Sequence, residues 1–195
     1  TNGIYIDNTA KIENFKNTGT IKGEGTATAN GGFVNYGTIS SFNNTGIIQG
    51  KWGVVLNKNG RIGTLVNTGT IIGETNGIEV SYGSYGNIEI KDGGKVIGEK
   101  STALYVGPWQ TMGALSIEGK DSEINGKKNG LYMGTGSQST TIDIKDQAKL
   151  IGENAGIYVD FATLNGSTVV DNATIHGNVA GIYLAQKSQL KGTLE

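Results

Sequence analysis

Apolar residues in this chain fall at alternate positions in short runs, and the runs recur. One pattern, small–aliphatic–variable–aliphatic, appears as Gly3-Ile4-Tyr5-Ile6, Gly32-Phe33-Val34, Gly53-Val54-Val55-Leu56 and Gly77-Ile78-Glu79-Val80. It continues as Ala103-Leu104-Tyr105-Val106, Gly130-Leu131-Tyr132-Met133, Gly156-Ile157-Tyr158-Val159 and Gly181-Ile182-Tyr183-Leu184. Successive starts lie 29, 21, 24, 26, 27, 26 and 25 residues apart. An aliphatic-x-Gly motif precedes many of them, as in Ile72-Gly73-Glu74, Ile97-Gly98-Glu99 and Ile151-Gly152-Glu153. Alternating runs such as Asn87-Ile88-Glu89-Ile90-Lys91 and Thr141-Ile142-Asp143-Ile144-Lys145 fill the space between.

Period-two alternation with β-branched residues predicts strands, broken here by Gly, Asn, Asp and Ser. No window sustains a helical period. Three short strands per unit of about 25 residues predict an all-β chain, a parallel β-helix of about 7–8 coils. Eight coils at about 4.8 Å would make a rod of roughly 38 Å. Within each quartet the two aliphatics should face inward and the middle residue outward. The expected core of this strand is Ile4, Ile6, Val54, Leu56, Ile78, Val80, Leu104, Val106, Leu131, Met133, Ile157, Val159, Ile182 and Leu184. The Gly that opens each quartet is expected at a corner with positive φ. A second string, Asn17-Thr18-Gly19-Thr20-Ile21, recurs from Asn35, Asn44 and Asn67. Asn and Gly tolerate the left-handed region, so these strings are expected at corners, with Asn side chains stacked along the axis.

Composition removes several alternatives. Gly is 33 of 195 residues, but Pro is 1, which excludes collagen. There is no Cys and a single His, His176, so a disulfide scaffold and a thiolate or multi-imidazole metal site are excluded. Sixteen basic residues against seventeen acidic give a net charge of −1, and Arg61 is the one Arg. No basic face for nucleic acid is visible. No apolar run reaches the roughly 18 residues of a membrane-spanning helix. With no initiator Met and no signal region, residues 1–195 read as a single β-helix segment cut from a longer chain.

The Asn-x-Gly-Thr-Ile-x-Gly strings followed by Gly-Ile-Tyr-Val resemble the passenger regions of type V autotransporters. They are most similar to vacuolating-toxin-like passengers and large fusobacterial-type outer-membrane adhesins. That resemblance covers essentially the whole chain. It implies a right-handed parallel β-helix, export across two membranes and display at a bacterial cell surface. It implies no catalytic residue and no cofactor.

Candidate chemistry is sparse. Acidic groups such as Glu118, Asp121 and Glu123 could suggest a polysaccharide-acting β-helix enzyme, yet acids alternate with Lys in Glu89-Lys91-Asp92 and Asp143-Lys145-Asp146. That pattern reads as a solvated face with pairing across coils. His176 reads as a surface residue. Thr-x-Thr pairs at Thr18/Thr20, Thr26/Thr28 and Thr68/Thr70 stop in the second half, against an ice-binding plane. Gly134-Thr135-Gly136 lacks the ending of a phosphate loop.

Aromatic residues stand out instead. Tyr105, Tyr132, Tyr158 and Tyr183 occupy equivalent positions and should form an outward ladder. The segments after each quartet vary and should share one edge of the rod, where recognition tends to sit. They carry Tyr82, Tyr85, Trp109, Met112 and Phe161, which join the four ladder tyrosines as expected partner-contacting residues. The sequence thus leads to a non-enzymatic passenger segment, adhesin or toxin-like, that attaches to a host or bacterial surface protein or glycan. A purely structural spacer is the alternative, and end-to-end self-association through open strand ends is expected.

Overall fold

A computed structural model describes residues 1–24 and 31–195. These residues form strands and turns and no helix. No helix is therefore long and apolar enough to cross a membrane among the described residues. Thr26 and Thr28 lie outside them.

The strands stack into a β-solenoid of about 7 turns, roughly 26 residues apart. They form a 13-stranded and an 11-stranded sheet. Every rung is parallel, and the quartets align as the sequence pattern demands. Ile4 pairs with Phe33, Phe33 with Val54, Val54 with Ile78, and Ile78 with Leu104. Leu131, Ile157 and Ile182 continue the column. Each step equals the sequence interval between successive quartets, so the uneven repeat length is absorbed in the turns and the rungs stay in register.

Each coil shows three faces. The aliphatic-x-Gly motif makes one, stacking Ile21, Ile48, Ile71, Val96, Ile124, Leu150 and Ile175. The quartets make the second. In Ile47–Leu56 and Thr70–Val80 these two faces are one bent strand, while later coils divide it, as in Lys95–Gly98 and Leu104–Val106. The alternating runs make the third face, which is the smaller sheet. Its inner columns include Phe15, Phe42, Leu65, Ile88, Leu115 and Ile142. A buried hydrophobic cluster fills the interior along the rod. At one end Phe15, Phe33 and Phe42 meet with all three ring centroids 4.8 Å apart.

The expected core holds from Val54 to Val159, where every member is fully buried. It fails at the end coils. Ile4, Ile6 and Ile182 are half-buried, and Leu184 is 45% exposed. Strand Ala180–Leu184 pairs only with Ala155–Val159, so no described residue covers its other side. Stacking, not alternation alone, buries a rung.

The quartet glycines need correction. Among described glycines only Gly93, Gly119 and Gly136 have positive φ, and none opens a quartet. Gly is required there by close approach. A β-carbon on Gly130 would lie 2.7 Å from the carbonyl oxygen of Gly156 and 2.7 Å from Leu150 Cδ1.

The Asn strings are corrected in the same sense. None of their Asn residues has positive φ, yet the axial ladder forms. Asn17 Nδ2 donates to Asn44 Oδ1, and Asn44 Nδ2 to Asn67 Oδ1, both at 2.7 Å. Asn67 then donates to the Lys95 carbonyl at 3.0 Å. Asn35 belongs elsewhere: it stands at the end of a quartet strand, in register with Ile6 and Leu56. The same string thus serves two different corners. Past Asn67 its column continues as Ile90, Ile117 and Ile144. An aliphatic column replaces a hydrogen-bonded one, which is why the string is missing from the second half.

Candidate functional site

The outward side of the quartet face carries the aromatic residues. Its central column reads Tyr5, Val34, Val55, Glu79, Tyr105, Tyr132, Tyr158 and Tyr183. The last four stack as expected. Centroid separations are 5.3, 5.7 and 4.9 Å, with interplanar angles of 2°, 19° and 19°. Tyr132 also donates from its hydroxyl to Asp160 Oδ2 at 2.9 Å. Burial, then the bond to Asp160, holds the Tyr132 phenol well above its usual pKa. Burial raises Tyr105 and Tyr158 as well, reinforced by Glu79 and Asp160 respectively.

Stacking has a consequence for recognition. Tyr132 and Tyr158 each have a ring on both sides, so they present edges and hydroxyls outward, not free faces. The ladder serves mainly to bind coil to coil.

Three of the expected contact residues sit on the turn edge and reach solvent: Tyr82, Trp109 and Phe161 are 66%, 76% and 40% exposed. Trp109 and Phe161 hold φ of +64° and +51°. A left-handed residue recurs at the equivalent turn position in other coils, at Asn59, Gly136 and Lys187, so it belongs to the turn of the solenoid. The Trp109 ring lies over Gly136, where a β-carbon would collide with it.

Tyr85 and Met112 are not on this surface. They are 2% and 0% exposed, because they fall in the inner column that runs from Ile62 through Tyr85, Met112 and Ser139 to Leu164. The third face begins one residue before each of them, at Ser84 and Thr111, where the variable segment has already ended. Tyr85 pays for its place: its buried hydroxyl has no hydrogen-bond partner among the described residues, and burial drives its pKa far up.

Tyr82, Trp109 and Tyr105 line a concavity whose other residues, Trp52 and Glu79 above all, sequence reasoning missed. Where Val34, Val55 and Glu79 stand in the ladder column, no ring fills the rung, and a cleft opens. One lobe of about 240 Å³ is lined by Asn2, Tyr5, Val34, Tyr36, Trp52, Val55, Asn57, Glu79, Ser81 and Tyr82. A second, of about 460 Å³, shares Trp52, Glu79, Ser81 and Tyr82 and reaches Tyr105 and Trp109. Val34 and Val55 point outward yet are 3% and 6% exposed, so they lie beneath the cleft and present almost no surface to it. The break of Tyr to Glu in Gly77-Ile78-Glu79-Val80 was the available signal.

The Glu79 carboxylate is fixed on both oxygens. Asn76 Nδ2 donates to Oε2 at 2.9 Å, and the Ser81 hydroxyl donates to Oε1. Lys51 lies over the Trp52 ring, 5.2 Å from its centroid.

Six other acids, Glu24, Glu74, Glu89, Glu118, Asp143 and Glu153, sit in surface pairs with Lys. Lys145 bridges to Glu118 of the preceding coil at 3.5 Å, and Lys100–Glu74 and Lys127–Glu153 also join adjacent coils. Pairs this exposed are screened by water and contribute little to stability. His176 is exposed. Among the described residues no group of three or more His, Cys, Asp or Glu is placed to hold a metal.

No family model, no curated protein and no solved structure matches the chain.

Proposed function

We propose that this chain is a non-enzymatic, surface-displayed attachment segment of an autotransporter-like passenger, adhesin or toxin-like, whose rod holds aromatic residues toward a host or bacterial surface. The observation that carries the reading is the exposed turn edge. Tyr82, Trp109 and Phe161 share it and reach solvent. Trp and Tyr dominate binding energetics where they can be desolvated. A solenoid supplies the rigid support that makes such a row of turns useful.

The spacer reading is favoured by one observation, the self-stacked tyrosine ladder, which spends its faces on internal packing. The test is adhesion of the purified chain to epithelial and bacterial cells, compared with the triple variant Tyr82→Ala/Trp109→Ala/Phe161→Ala. Attachment predicts a loss of about tenfold or more in cell binding. Equal binding by both proteins would leave the spacer standing.

A further inference from the structure

We infer that the cleft centred on Glu79 is a binding site for a neutral oligosaccharide. The cleft exists because the aromatic column is interrupted. Tyr105 stacks on Tyr132 on one side, but its rung neighbour on the other is Glu79, and its ring lines the cleft. Tyr5, at the opposite end, packs against Tyr36 at 5.2 Å. From Tyr5 to Tyr105 there are four rung steps, about 19 Å at the usual inter-strand spacing. An occupant of this space is long and narrow, and it lies along the rod axis.

The lining defines its chemistry. Aromatic rings offer an apolar surface for the C–H faces of pyranose rings. Around them stand amide and hydroxyl groups, among them Asn2, Asn57 and Asn76. Glu79 is the one charged residue in either lobe. Its oxygens, each already holding one donor, keep acceptor capacity for ligand hydroxyls and are oriented before binding. A carboxylate with no basic partner in the lining disfavours anionic glycans. A small organic cation would use the carboxylate and the rings, but would leave the amides and the length of the cleft unused. Trp52 offers a ligand at most one face, because Lys51 covers the other.

This inference deepens the attachment reading by naming a ligand class, and it is tested separately from cell adhesion. The purified chain is profiled on an array of neutral gluco-, galacto-, manno- and N-acetylglucosamine-containing oligosaccharides. The hits are then titrated by calorimetry, with choline chloride in parallel. The expected result is binding of at least one neutral oligosaccharide, little changed by salt. Glu79→Gln and Trp52→Ala each weaken it about tenfold or more, with the far-UV spectrum and thermal midpoint retained. His176→Ala, exposed on another face of the rod, leaves it unchanged. An array with no neutral hit, choline binding that falls with salt in place of sugar binding, or full affinity in folded Glu79→Gln would each overturn it. Cell adhesion that survives Glu79→Gln but is lost in Phe161→Ala, the turn-edge residue that lines neither lobe, would place attachment outside the cleft and keep the two ideas apart.

Discussion

Single residues here are chosen for what the next coil allows. Asn44 is the clearest case. It accepts from Asn17 and donates to Asn67, both in the buried interior of a corner. Removing it leaves Asn17 and Asn67 each short of one partner, and desolvated amides without partners are costly. Asn44→Ala is expected to destabilise the chain by about 3 kcal/mol, read as a fall of about 6–12 °C in thermal midpoint. A fall of under about 2 °C would show that the ladder is incidental. The quartet glycines obey the same logic, since Gly130 has room for neither a methyl group nor a shifted neighbour. Alternation along one strand cannot reveal this, because the clash is with a residue 26 positions away in sequence, at Gly156.

At the scale of the strand, the alternating pattern makes the elements and their register legible. The quartet spacing predicts which residues become neighbours, from Ile4 to Ile182, without any knowledge of the turns. What the pattern cannot show is where a turn ends. Tyr85 and Met112 follow variable segments and look like loop residues, yet they open the next strand with side chains inward. Nor can it show that similar strings occupy different corners, as those at Asn35 and Asn44 do. The cleft was hidden for a related reason: Trp52 and Glu79 belong to adjacent coils and carry no shared motif. The tyrosine rungs also set an alkaline limit. Tyr85, Tyr132, Tyr105 and Tyr158 all have raised phenol pKa values in the fold. An acid whose pKa is raised on folding gives full stability below its unfolded value, about 10, and loses it as pH climbs toward the folded value. The thermal midpoint is expected to hold up to about pH 10 and then fall. In a spectrophotometric titration Tyr85 should ionise only together with unfolding, and Tyr132, Tyr105 and Tyr158 should ionise above the ordinary range. Ionisation of Tyr85 with the fold intact would contradict the burial assigned to it.

For the whole molecule, stability is a sum over interfaces between successive coils, which no coil could supply alone. Function is argued on the same frame. A rod whose rungs stay in register converts a repeat in sequence into a row of equivalent sites in space. Variation at those sites, ring against carboxylate, becomes a surface feature such as the cleft at Glu79. All of this depends on adjacent quartets being direct neighbours. The chain has no Cys, so a paired substitution reports cleanly. In Tyr158→Cys/Tyr183→Cys the two α-carbons sit on neighbouring parallel strands, about 4.8 Å apart and within disulfide range. Mild oxidation of the dilute monomer is expected to give an intramolecular disulfide in high yield. Ser116→Cys/Tyr158→Cys, with its residues on different sheets, should give none. Free thiols in the first variant, or equal cross-linking in both, would contradict the stacked solenoid.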